Sequence, residues 1–144
     1  MGVSVCLASG KDGVGTSTIT ANLGIALSKM GIASLIVDGD LEGASLGLIL
    51  GVDPNTPSIH DCLSGRIKCE EAVIEAFGTK AVVGGIKIEQ LVGASLDTFQ
   101  EIIENFTNEF DVVLVDSPGG LGSDAVTVIS SCQSVILILT PDIN

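Results

Sequence analysis

Val3-Ser4-Val5-Cys6-Leu7-Ala8-Ser9-Gly10-Lys11-Asp12-Gly13-Val14-Gly15-Thr16-Ser17-Thr18 is the stretch on which the reading of this chain turns. Its first seven residues are apolar, partly β-branched and too few for a packed helix, so they predict a buried strand. Beyond the glycines, Ile19, Leu23, Ala26, Leu27 and Met30 recur at helical spacing. Gly31 then stands where a helix wants a left-handed terminal residue. Strand, glycine loop and helix in that order form the context of a phosphate-binding loop. Glycines let successive backbone N–H groups turn inward, and the helix N-terminus adds partial positive charge where an anion sits.

The spacing follows G-x-x-x-x-G-K-[ST] except at one position. Gly10 and Gly15 are in place, and Ser17 supplies the hydroxyl that such loops offer to Mg²⁺, but Thr16 stands where the lysine belongs. A different lysine, Lys11, directly follows the first glycine. A dinucleotide fingerprint starting at Gly13 and Gly15 fails at Thr18. A lysine–phosphate contact contributes roughly 1.5–3 kcal/mol, so its loss weakens binding about ten- to a hundred-fold. Loop amides, helix end and Ser17 remain for binding. Hydrolysis depends more heavily on positioned charge and is the more exposed of the two.

Outward from the loop, the chain reads as alternating strands and helices. Ala33–Val37 predicts a second strand, ending in Asp38-Gly39-Asp40. Ser58-Ile59-His60-Asp61 has the form of a capping box ahead of a short helix stopped at Gly65. His60 is there expected to be a solvated or cap-region side chain. A second peripheral helix is expected over 69–77, then two short β-type pieces, Ala81-Val82-Val83 and Ile86-Lys87-Ile88, of which the second is the candidate third strand. Phe99, Ile102, Ile103, Phe106 and Phe110 mark one face of an amphipathic helix. Val112–Val115 closes on Asp116-Ser117-Pro118-Gly119-Gly120, the form of a strand whose terminal aspartate supports Mg²⁺ or its water. A helix from Ser123 to about Cys132 and a strand over Ser134–Leu139 finish the order. The sum is an α/β fold, a doubly wound and mainly parallel sheet with helices on both faces. In such a sheet the glycine loop, Asp38, Asp40 and Asp116 meet at one edge.

The 144 residues suit a single core, with 46% hydrophobic content and no Trp or Tyr. A formal charge of −12 repels nucleic acid and anionic lipid, so this segment alone is expected to bind neither well. No apolar run has membrane-spanning length and no secretory signal stands at the start, which points to the cytoplasm. Cys6, Cys62, Cys69 and Cys132 are scattered, form no C-x-x-C, and are expected as reduced thiols.

Ser9–Thr18 with Thr20-Ala21-Asn22-Leu23-Gly24, Val37–Asp40, Leu48–Gly51, His60–Gly65 and Val115–Gly120 together resemble the MinD/ParA family of deviant-Walker P-loop ATPases, most of all its archaeal MinD branch. The lysine after the first glycine is that family's hallmark. The resemblance implies a P-loop NTPase fold over residues 1–144, with ATP or ADP and Mg²⁺ as ligands. It puts the nucleotide against Gly10, Lys11, Asp12, Gly13, Val14, Gly15, Thr16, Ser17 and Thr18. It implies that Lys11 reaches the phosphates across a nucleotide-dependent homodimer and that Asp40 orients the attacking water. Ser17, Asp38 and Asp116 would serve the metal. Such dimers recruit protein partners, which makes the chain a positioning switch of cell division, partition or polar localisation. Membrane contact would come only through a tail beyond these residues.

Two departures set up a second expectation. Thr16 replaces the loop lysine, as in the pilus-localising TadZ/CpaE relatives, and Asp12 brings negative charge towards the phosphates. A non-hydrolysing scaffold with a degenerate nucleotide site is the resulting alternative. Family members also continue past the position of Asn144, so either a C-terminally truncated piece or a short relative is expected. An iron–sulfur carrier related to the nitrogenase iron protein needs a cysteine soon after the second aspartate-ended strand, and Ser117–Gly120 has none.

Overall fold

The structure, a computed structural model, describes residues 1–141. In chain order its elements are β1 (Val3–Ser9), α1 (Thr16–Lys29), β2 (Ser34–Asp38), α2 (Leu46–Ile49), α3 (Ile59–Leu63), a 3₁₀ turn (Cys69–Ala72), β3 (Ile74–Ala76), β4 (Thr79–Val82), α4 (Ile88–Leu91), a second 3₁₀ turn (Leu96–Thr98), α5 (Phe99–Thr107), β5 (Val112–Asp116), α6 (Ser123–Ser130) and β6 (Ser134–Ile138). The six strands form one sheet in the order β3-β4-β2-β5-β1-β6. Every pairing is parallel except β3 with β4. This is the doubly wound sheet that the strand and helix order predicts.

Alternation along the strands fills two cores. On β2, Leu35 and Val37 join a cluster with Phe99, Ile103 and Phe106 of α5 and Val128 of α6. Ile36, one residue away, points into the other cluster with Ala21 of α1 and with Leu46 and Leu50 at α2. Side chains at successive strand positions leave on opposite faces, so an all-apolar strand requires a helical layer on each side. Phe106 and Phe110 meet edge to face with ring centroids 6.3 Å apart, which makes the phenylalanine stripe a core contact. The four cysteines are free thiols that come together as Cys6 beside Cys132 and Cys62 beside Cys69.

Three expectations in the middle of the chain are corrected. The helix expected over 69–77 is a 3₁₀ turn followed by β3, because Phe77 (φ 51°) and Gly78 (φ 78°) take the two left-handed positions of a tight hairpin turn. The third parallel strand is β4, not 86–88. Ile88 instead opens α4, where the Gln90 side chain accepts from the Lys87 amide at 3.2 Å. His60 is neither solvated nor a cap: it is 1% exposed. The capping box itself forms, with Ser58 N–H donating to Asp61 Oδ2 at 2.9 Å. The last strand is present as the sheet's edge and stays half exposed, with Leu137 at 58%. Asp142, read with that strand's end, lies outside the described residues.

Candidate functional site

β1 delivers the chain to the sheet edge at Ser9, and residues 10–15 cross from strand to helix. Gly13 and Gly15 hold φ of 79° and 92°, which side-chain-bearing residues avoid, and Gly15 is the N-cap of α1. Among the described residues no side chain caps that helix, and no acidic residue lies in its first turn. The turn therefore offers amides and partial positive charge outward. They open into a pocket of about 270 Å³. On the far side the Pro118–Gly120 turn backs the loop so closely that a Cβ on Gly119 would sit 2.1 Å from Asp12 Oδ1.

The predicted residues sort into lining and support. Lys11, Asp12, Gly13, Gly15, Thr16, Ser17, Thr18 and Asp40 line the pocket. Gly10 and Val14 belong to the loop but are not among the lining residues. Asp38 and Asp116 are fully buried beneath it. Asp38 is registered directly opposite Asp116 on the paired strands β2 and β5. The parallel pairing thereby brings two carboxylates, 78 positions apart in sequence (116 − 38), to the same spot.

Their surroundings are charged in a way that apolar strands alone do not need. Asp116 Oδ2 accepts a 2.5 Å hydrogen bond from Ser17 Oγ, while Oδ1 is buried with no partner among the described residues. Ser17 Oγ in turn accepts from Ser45 Oγ at 2.9 Å. Burial raises the Asp116 carboxyl to about 6 against the pull of Ser17, with Asp40 adding to the rise. Burial and then the Asp116 charge push Asp38 up to about 8, although it accepts from the Asp40 amide at 3.0 Å and the Leu46 amide at 3.3 Å. Thr16 Oγ1 is also buried without a partner among the described residues, and the residue is 9% exposed. Unpaired buried oxygens of this kind cost free energy unless something binds them.

That donor set fits a hard cation and a phosphate. Ser17 and Asp116 offer oxygen ligands, and the uncapped helix offers N–H donors to an anion. Among the described residues no group of three or more His, Cys, Asp or Glu converges as a self-sufficient metal centre. Mg²⁺ needs none, because it retains waters and takes substrate phosphate oxygens as ligands.

Sequence reasoning missed Ser9, Ser45, Ile49, Ser117 and Gly119 as lining residues. Ser117 and Gly119 follow a predicted metal-side aspartate and were within reach. Ser45 and Ile49 carry no local signal, since only the folding of α2 against the loop brings them in.

Comparison with known proteins agrees with this fold. The family described as ParA, NUBPL iron-transfer P-loop NTPase, matches residues 2–143. An uncharacterised ATP-binding protein of Methanocaldococcus jannaschii is 30% identical over 145 residues, spanning 100% of this chain and 55% of that protein. The septum site-determining protein MinD of Thermotoga maritima is 28% identical, over 99% of this chain and 54% of its own length. Among solved structures, MinD of Pyrococcus horikoshii complexed with Mg-ADP superimposes with a TM-score of 0.93 at 36% identity, covering 99% of this chain and 60% of that one. The chain thus spans about half the length of the curated relatives it matches.

Proposed function

The chain belongs to the ParA family of P-loop NTPases, and from that premise we propose that it binds ATP and ADP with Mg²⁺ at the pocket beside Gly10–Thr18. It acts there as a MinD-like switch whose nucleotide-bound form dimerises and positions partner proteins. The observation that carries the reading is the Ser17–Asp116 bond, 2.5 Å long across 99 positions of sequence, at the mouth of an uncapped helix. The relative from Pyrococcus horikoshii is complexed with Mg-ADP, which supports the same ligand here.

In this reading the amides of the first turn of α1 bind phosphate, and Lys11 adds charge from the loop. Ser17 and Asp116 hold Mg²⁺, which supplies charge neutralisation when bound. Asp38 braces the Asp40 segment by accepting the Asp40 amide, and Asp40 orients the attacking water in the pocket it lines. Thr16 puts a hydroxyl where a lysine ammonium would stabilise transferred charge, so turnover is slow. A second reading, a non-hydrolysing scaffold that keeps the nucleotide site, is favoured by that same residue and by the Asp12 carboxylate lining the pocket.

Calorimetric titration with ATP and ADP in Mg²⁺ tests the binding step, with Lys11→Ala expected to weaken it ten-fold or more. Absence of heat for either nucleotide would end the proposal. Steady-state phosphate release by wild type and Thr16→Lys separates the two readings: turnover in either protein supports the switch, and none in both leaves the scaffold. Sedimentation with and without Mg-ATP reads the dimer directly.

A further inference from the structure

His60 has no part in the ligand chemistry just described, yet it is the chain's single histidine, 1% exposed, and fully committed through both ring nitrogens. The Gly85 amide lies 2.7 Å from Nδ1. An amide N–H can only donate, so Nδ1 is the unprotonated nitrogen and the ring proton sits on Nε2. Nε2–H then donates to the Leu41 carbonyl at 2.9 Å. The ring ties the segment leaving β2 to the segment leaving β4.

The two sides of this tie are unequal. On one side His60 belongs to α3, whose capping box fixes its start and whose Ile59 amide donates to the Val83 carbonyl at 2.8 Å. That side is anchored to the end of β4. On the other side, Asp40 to Gly43 follows β2 as a turn half-buried at Asp40 and Leu41 and exposed at Glu42 and Gly43, held by the Leu41 side chain against the core, by the Asp40 amide on Asp38 and by the Gly43 amide on Asp40 Oδ1 at 3.0 Å. Leu41 is the next residue after Asp40, so its carbonyl is the point where the anchored side grips the turn.

We propose that His60 is a positioning residue for Asp40, holding by its bond to the Leu41 carbonyl the turn that presents Asp40 to the nucleotide pocket. The inference rests on the proposed role of Asp40 towards a nucleotide-bound water. His60 itself is absent from the lining of that pocket, which puts its influence on orientation rather than on binding.

Two substitutions divide the ring. Asn places an amide oxygen near Nδ1 and keeps an acceptor for Gly85, whereas Gln reaches the Nε2 position and keeps a donor for Leu41. His60→Asn is expected to lower kcat for phosphate release about ten-fold with KM for ATP within two-fold, and His60→Gln to stay within about three-fold of wild type. A second readout needs no nucleotide: the Gly43 amide of free His60→Asn exchanges with solvent about ten-fold faster, while Val82 in the sheet exchanges as in wild type. Equal losses in both variants, no change in His60→Asn, or faster exchange at Val82 as well as Gly43 would each overturn the assignment. Wild type that turns over no ATP would break the reading of Asp40 instead, and the exchange measurement would still decide the grip on the turn.

Discussion

At the end of the sheet where β1, β2 and β5 finish, Asp38 and Asp116 stand side by side, fully buried, above the uncapped start of α1. At the opposite end, the Gly2 amide donates to the Thr107 carbonyl at 2.7 Å and the Val3 amide to the Asp111 carbonyl at 2.9 Å. There the Asp111 amide meets the Ala33 carbonyl at 2.8 Å, and Phe106 packs on Phe110. Of the three buried side-chain oxygens without partners among the described residues, two (Thr16 Oγ1 and Asp116 Oδ1) lie at the first end, and one (Thr79 Oγ1) opens β4 at the second. The contrast separates two duties of one sheet. One rim carries stability through satisfied amides and aromatic packing. The other holds polar groups in a costly state that a bound cation and anion would relieve.

The largest expected effect is on the stabilising rim. Phe106→Ala removes a 2%-exposed ring from the core and should cost about 3–5 kcal/mol in chemical denaturation. Nucleotide affinity of the folded fraction should be unchanged; a matching loss of affinity would erase the division between the rims. Next, Asp116→Asn removes a buried charge with one unpartnered oxygen, and should stabilise the ligand-free protein by roughly 1–3 kcal/mol at pH 8. The same variant should lose the added stability that Mg-ATP gives wild type, read as the shift in Tm on adding ligand. Thr79→Val sharpens the comparison from the other end: deleting a buried, unpartnered hydroxyl should stabilise by about 1 kcal/mol with no effect on ligand.

The smallest effect is a pH dependence at His60. Burial lowers its pKa below 6.5, opposed by the Leu41 carbonyl and Asp61, and Arg66 lowers it further. Glu42 and Asp124 line the same cavity. A histidine whose folded pKa is depressed stabilises the fold above the unfolded value of about 6.5, and that contribution is lost as pH falls below it. Wild type should therefore lose stability between pH 7 and 5 more steeply than His60→Gln. Parallel slopes would mean that the ring's neutrality contributes nothing to folding.

Much of the rim could be read from the chain because its signals are local. Glycines at 13 and 15 permit the left-handed backbone that the loop takes there, and an apolar run ending in aspartate marks a strand's exit. Residues 69–91 resisted reading for an equally physical cause. Cys69–Phe77 has too few residues for helical periodicity to show, and the hairpin rests on Phe77, a residue type that seldom adopts φ near 51°. His60 was misread because a lone polar residue at a helix start has the same sequence signature whether solvent or backbone surrounds it.

The sequence by itself determined the order of strands and helices outside residues 69–91, the glycine loop with Lys11 and Ser17, and the carboxylates that close β2 and β5, since each depends on neighbours within a few positions. The tertiary structure alone decided which of these groups touch. Asp38 against Asp116, and Ser17 against Asp116 and Ser45, follow from a strand order in which β5 inserts between β1 and β2, and His60 between Leu41 and Gly85 follows from β4 lying beside β2. Parallel pairing joins segments far apart in the chain, and only the packed sheet fixes which carboxylates lose their water together.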